Sequence, residues 1–232
     1  MPVRNLCTDW ASVLFVHRHI HLLKILMRRK EKNSKKNLAD AAQDSSLVPV
    51  FQDEVHFQAQ TTITRKWVPK GSEPKVMSKP GRNSIAYSGF LIPESGKLYV
   101  NKPDWFNYET VIESIRDFTN ACPLEDGKKY LMVLDNAPWH KKAIRLIRDE
   151  CNEEYQDIRD KVVFLSLPPY SPDLNPIEQV WRITRREKTH NRYFSTLNGL
   201  VEVLDSFFSS FINGSDKLKS LCSFSCFKPV AA

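Results

Sequence analysis

"KYLMVLDNAPWH", residues 129–140, is the stretch on which the fold turns. Tyr130 to Leu134 are apolar without alternation, the form of a strand covered on both faces, and Asp135 closes the run. Downstream, "KKAIRLIRDECNEEY" (141–155) is helical in pattern and "KVVFLSLPP" (161–169) reads as a second buried strand. Strand, helix and strand in that order give an α/β sheet, and a carboxylate at the end of its most apolar strand lies where open α/β sheets place their sites.

Working back from that stretch, "WFNYETVIESIRDFTNAC" (105–122) puts Tyr108, Val111, Ile112, Ile115 and Phe118 on one helical face. Ahead of it, three segments are expected to be strands of an antiparallel meander: "LVPVFQDEVHFQ" (47–58), "TTITRKWVPKG" (61–71) and "SIAYSGFLIPESGKLYV" (84–100). The element order is then β-β-β-α-β-α-β-α, a mixed sheet flanked by helices. "LNGLVEVLDSFFSSF" (197–211) is expected to be a helix packed on that core. The domain reading is an N-terminal helix and basic linker over 1–46, one catalytic-sized domain over 47–215, and a loose tail over 216–232. The helix is "WASVLFVHRHIHLLKILM" (10–27), and "RRKEKNSKKN" (28–37) follows it.

Bulk properties narrow the classes. At 232 residues the chain holds one good-sized domain with an appendage, and 41% hydrophobic residues suffice for its core. A net charge of +7 favours a polyanionic partner. Five scattered cysteines draw neither a disulfide framework nor a zinc ribbon, which fits a reducing compartment. Charged residues interrupt 10–27 too often for a membrane span, so the expectation is a cytoplasmic protein without a membrane partner. In "HRHIH" a helix brings only His17 and His21 together, a weak basis for a metal site.

Three carboxylates stand in costly places. Asp53 lies mid-strand on the face of Phe51, Val55 and Phe57, where an acid is unfavourable without a counter-charge. Asp135 ends the buried strand. Glu178 follows the proline-rich loop in "LPPYSPDLNPIEQVW" (167–181), where Asn175 is a favoured N-cap and Pro176 suits the first helical position. Capping, or an i,i+4 pair with Arg182, is the plain structural account of Glu178. Convergence of the three on Mg²⁺ or Mn²⁺, two ions in all, is the chemical one, because hard cations take oxygen ligands and suit phosphodiester substrates.

"QDEVHF" (52–57), "LDNAPWHKK" (134–142) and "PPYSPDLNPIEQVW" (168–181) resemble the three catalytic blocks of DDE transposases of the mariner superfamily, in particular the bacterial insertion-sequence branch. The resemblance implies a ribonuclease-H-like fold and places the family's catalytic, metal-binding triad on Asp53, Asp135 and Glu178. It implies DNA cleavage and strand transfer on transposon ends and target, with subunits paired as a homodimer. Location follows the DNA, with nucleoid association if the source is bacterial.

Basic residues suggest where DNA lies: Arg65, Lys66, Lys70, Lys75 and Lys79 in one segment, and Arg182 and Arg185 beside Glu178. His140 is a further candidate contact to phosphate, with an ordinary hydrogen-bonded histidine as its alternative. Glu54 is expected on the sheet face opposite Asp53. Two departures from the family stand out. The Asp135 to Glu178 interval is long, with "RDECNEEYQDIRD" (148–160) as the extra polar length. Residues 1–46 are also too few for the family's helix-turn-helix units. The expectations are a truncated or frameshifted product, a separate N-terminal DNA-binding chain, or a non-catalytic DNA-binding remnant.

Overall fold

The computed structural model describes residues 44–78, 81, 83–125, 127–169 and 174–222. The expected N-terminal helix, the HRHIH stretch, the basic linker, Lys79 and residues 223–232 lie outside that set.

Five strands form one sheet: β1 (Leu47–Gln58), β2 (Ser84–Ile92), β3 (Lys97–Asn101), β4 (Lys129–Leu134) and β5 (Val162–Ser166). Their spatial order is β3-β2-β1-β4-β5, antiparallel on the β3-β2-β1 side and parallel from β1 through β4 to β5. α1 (Tyr108–Ala121) and α2 (Pro138–Arg148) make the connections, with a short α3 (Gln156–Arg159) ahead of β5. α4 (Ile177–Thr184) runs into a π-helical turn over Arg185–Thr189, and α5 (Leu197–Ser209) and α6 (Asp216–Leu221) follow.

Each face of the sheet carries its own core. On one, Val50, Phe90, Met132 and Leu134 meet Ile112, Ile115 and Phe118 of α1 and Ala143, Ile144 and Ile147 of α2. On the other, Val55, Phe57, Tyr87 and Leu91 meet Ile177, Val180 and Trp181 of α4 and Leu200, Leu204 and Phe208 of α5. Strand alternation sorts β1 between them: Val50 faces one helical layer, Val55 and Phe57 the other. The capping box of α1, in which Asn107 and Thr110 each accept from the other's backbone N–H, fixes where that helix leaves the sheet.

The eight-element order holds, but one strand is not where the sequence put it. "TTITRKWVPKG" forms no strand; its one ladder contact is a bridge from Thr62 to His190. Both sides of β1 are taken, by β2 and β4, so a segment following β1 has no free side of that strand to pair with. The third strand comes instead from splitting 84–101 at its PESG turn, where Gly96 has φ +64° and donates its N–H to the Ile92 carbonyl at 2.9 Å. A side chain at Gly96 would sit 2.2 Å from the Ser215 carbonyl, so the turn also seats the start of α6.

The segment expected as a loose tail contains a helix. α6 falls in the expected tail, yet Leu218 and Cys222 are buried in the α4–α5 core, so ordered packing reaches Cys222. Its apolar residues are too few to read as a helix from periodicity alone. Among the described residues no helix is long and apolar enough to cross a membrane.

Candidate active site

Asp53 sits in the middle of β1, opposite Gly89 of β2. Trp181, 1% exposed, donates its indole N–H to Asp53 Oδ2 at 3.0 Å. Gly89 makes that contact possible: a Cβ there would lie 2.5 Å from the Trp181 ring. Burial raises the Asp53 carboxyl to about 7, and the charges of Glu178 and Glu54 add to the effect; the indole bond only partly offsets them. The inward stripe read from the sequence, Ile177, Val180, Trp181 and Thr184, is buried, and Glu178 is half-buried one step round the helix.

β1 and β4 are neighbours, and Phe51 pairs with Val133. Asp53 continues β1 two residues beyond that pair, while Asp135 is the first residue after β4, so both acids lie toward the same end of the parallel pair. Asp135 accepts the Ala137 N–H at 2.8 Å and meets His140 Nδ1 at 2.5 Å, both through Oδ1. The His140 bond lowers its pKa; partial burial opposes, and the Ala137 N–H and Lys141 reinforce the lowering.

The first turn of α4 departs from the expected cap. Asn175 makes no capping bond to α4. Its side-chain amide instead donates to the Gln52 carbonyl at 3.2 Å, one residue before Asp53, while its own carbonyl accepts the Glu178 N–H at 3.2 Å. The helix bearing Glu178 is thereby tied to the strand bearing Asp53. Among the described residues no ion pair joins Glu178 to Arg182, so the simple surface-pair account of Glu178 has no contact behind it.

His140 is placed differently from the expectation of a phosphate contact. It is fully buried, with Nδ1 on Asp135 and Nε2 2.7 Å from Glu54 Oε1. Each ring nitrogen faces a carboxylate oxygen, so a charged imidazole donates to both. Burial opposes the charged ring, but the hydrogen bonds and charges of Asp135 and Glu54 outweigh it and raise His140 to about 9. Glu54 faces away from Asp53, as strand alternation requires, but its side chain is only 9% exposed. Its position on that face, supporting the site or on the surface, could be read from the sequence, but its partner, 86 positions away, could not.

The basic candidates fall in two settings. Arg65, Lys66, Lys70 and Lys75 are all exposed on the irregular arm that follows β1, beside a wholly exposed Trp67. Asn191, at φ 56°, clamps the base of this arm: it accepts the Thr64 N–H at 2.9 Å and donates to Thr64 Oγ1 at 3.0 Å. Arg182 is exposed beside Glu178, whereas Arg185 turns inward and lies over the Phe57 ring at 5.6 Å.

Three carboxylates offer only oxygen, the donor set of a hard divalent cation, and the half-buried charge of Asp53 beside Glu178 calls for a counter-charge. Trp181 uses one oxygen of Asp53 and His140 one of Asp135, which leaves each carboxylate a second. Among the described residues no group of three or more His, Cys, Asp or Glu side chains is drawn together closely enough to hold a metal ion. The structure brings Glu178 close enough for its charge to act on Asp53, while Asp135, just past the end of β4, is not drawn into one cluster with them.

Comparison with known sequences decides the family. The sequence profile of the DDE superfamily endonucleases matches residues 48–201. The chain belongs to the DDE superfamily endonucleases. An uncharacterized protein, y4pE/y4sA, of Sinorhizobium fredii is 26% identical to this DDE-family chain over 113 residues, 49% of the chain and 74% of the relative. The fold matches the Mos1 strand transfer complex with a TM-score of 0.55 at 17% identity, covering 87% of this chain and 60% of that one. The Mos1 mariner paired end complex with Mn gives 0.56 at 17% identity, covering 84% and 60%. The DDE-family chain thus has the ribonuclease-H-like mixed sheet, and spans about 60% of the length of the Mos1 chains it resembles.

Proposed function

We propose that this chain is the catalytic domain of a mariner-superfamily transposase of the insertion-sequence branch, cutting and joining DNA phosphodiesters with divalent metal. The observation that carries the reading is Asp53: a half-buried carboxylate in mid-strand, held by Trp181 and crowded by the charge of Glu178. A fold does not keep two acids in that relation for packing. Membership of an endonuclease superfamily supports it, as do the similar Mos1 structures, which are complexes with Mn and with Mg.

Asp53, Asp135 and Glu178 would hold the metal, Mg²⁺ or Mn²⁺, as a pair of ions. When bound, such ions supply Lewis acidity and counter-charge at a phosphate. The protein's part is placement. Trp181 fixes the Asp53 carboxylate, and Asn175 fixes the start of α4 relative to β1. Exposed Arg65, Lys66, Lys70, Lys75 and Arg182 attract the DNA backbone without reading bases. Hydrolysis breaks a P–O3′ bond and frees a 3′-OH; in strand transfer that hydroxyl attacks a target phosphate and displaces another O3′. No protein nucleophile enters. The DNA partners would be transposon ends and target, engaged by two subunits. The working location is the cytoplasm, with the nucleoid as the DNA-bound site.

Nicking of supercoiled plasmid in Mg²⁺ or Mn²⁺ by the purified chain, beside Glu178→Gln, tests the reading. Cleavage present in the first and lost in the second is expected. No cleavage by a chain shown to be folded would replace it with a non-catalytic DNA-binding remnant.

A further inference from the structure

We propose that Glu54 and His140 are positioning residues for Asp135: Glu54 holds the imidazole, the imidazole holds Asp135 Oδ1, and Oδ2 is left turned out for a cation. The inference rests on the reading of Asp135 as a metal ligand.

The geometry is a buried chain of hydrogen bonds crossing three elements. On β1, Gln52 Nε2 donates to Glu54 Oε1 at 3.1 Å and to Ser88 Oγ of β2 at 3.2 Å. The same Glu54 oxygen accepts from His140 Nε2 at 2.7 Å, and His140 Nδ1 reaches Asp135 Oδ1 at 2.5 Å. His140 has no exposed surface, and Glu54 only 9%. Asp135 is different. Its side chain is 56% exposed at the end of β4, where a carboxylate without partners would exchange rotamers in water.

Two donors converge on a single oxygen of this exposed group, the His140 N–H from the first turn of α2 and the Ala137 N–H from its N-cap. Two bonds from fixed directions to one oxygen set the plane of the carboxylate and point the other oxygen away from them. Packing alone does not call for this arrangement, because an apolar pair of similar volume fills such space at least as stably as a buried ionic one. Outer groups of this kind orient the ligand and change metal affinity by about 10- to 100-fold when removed.

The experiment replaces both residues by leucine in the full chain and measures two quantities: Mn²⁺ affinity by calorimetry, and the melting temperature of the metal-free protein. The expected result is a split, with the melting temperature of Glu54→Leu/His140→Leu held or raised while Mn²⁺ binding weakens about 10- to 100-fold. Lower melting temperature with wild-type Mn²⁺ affinity would mean a structural role and overturn the proposal. Should the double variant not fold, Glu54→Gln keeps the shape and an acceptor for His140 Nε2 while removing the charge. It supports the proposal if Mn²⁺ affinity falls several-fold and overturns it if affinity is unchanged. Asp135→Asn separates the two levels of argument. Loss of Mn²⁺ binding there, with unchanged binding in the Glu54 and His140 variants, overturns the positioning role alone; unchanged binding in Asp135→Asn overturns the ligand reading and the positioning role with it.

Discussion

Gly89 stands opposite Asp53 in the β1–β2 ladder, and the space its missing side chain leaves is filled by the Trp181 ring that donates to Asp53. Gly89→Ala puts a methyl 2.5 Å from that ring. The indole has no room to recoil, being packed against Phe57 and Phe208. The expected cost is about 1–3 kcal/mol in urea unfolding, together with a change in the near-UV circular dichroism of tryptophan. Unchanged stability and spectrum would mean that the ring is not held as described.

The pH dependence of the metal-free protein follows from two groups. The Asp53 carboxyl is raised from 3.8 to about 7, so the native state keeps a proton the unfolded state has lost, and stability falls as pH rises through that window. His140 is raised from 6.5 to about 9, so its contribution is complete below 6.5 and lost as pH rises through 9. Unfolding free energy should therefore decline from pH 4 to 9, by at most about 1.4 kcal/mol per unit for each group. Asp53→Asn should flatten the lower part of the curve and His140→Gln the upper part. Parallel curves for wild type and both variants would contradict the assignments.

Metal should stabilise the fold through the same carboxylates. At 100 times its dissociation constant, Mg²⁺ or Mn²⁺ adds about 2.7 kcal/mol, visible as a rise in melting temperature. Asp53→Asn and Glu178→Gln should lose most of that rise. Asp53→Asn should also melt higher than wild type without metal, because it removes a half-buried charge crowded by another. An equal metal-induced rise in all three proteins would place the ion elsewhere.

Asn191 is expected to govern the basic arm. Asn191→Gly keeps the positive φ but loses both side-chain bonds to Thr64; Asn191→Ala loses the bonds and adds backbone strain of about 1–2 kcal/mol. Limited trypsin digestion should cut faster after Arg65 and Lys66 in both variants. Only the alanine variant should carry the additional loss of stability. Equal digestion rates would show that the Thr62–His190 bridge alone secures the arm.

How much of this was legible in sequence depends on how far apart the partners lie. Asp53, Asp135 and Glu178 were marked by local incongruity: acids on apolar faces or behind a stiff loop. The parallel β4–β5 pair was marked by its unbroken apolar runs. The second strand differs because "TTITRKWVPKG" has a strand's composition, and only the assembled sheet shows that both sides of β1 are taken by β2 and β4. Asn175 has every local mark of a cap, but a carbonyl 123 positions away takes its amide. His140 and Glu54 each look ordinary alone. What sets their chemistry is a distance of 2.7 Å, which no pattern along the chain encodes.

The bond from Asn175 to Gln52 ends on a main-chain carbonyl, and that has a consequence for how the chain tolerates change. Every amino acid supplies a carbonyl, so random replacement at position 52 leaves the tether between β1 and α4 chemically intact. Position 175 has no such latitude, since few side chains of that size present an N–H there. In a library randomised at both codons, position 52 should be restricted by its own burial and its bonds to Glu54 and Ser88, and position 175 by the tether itself.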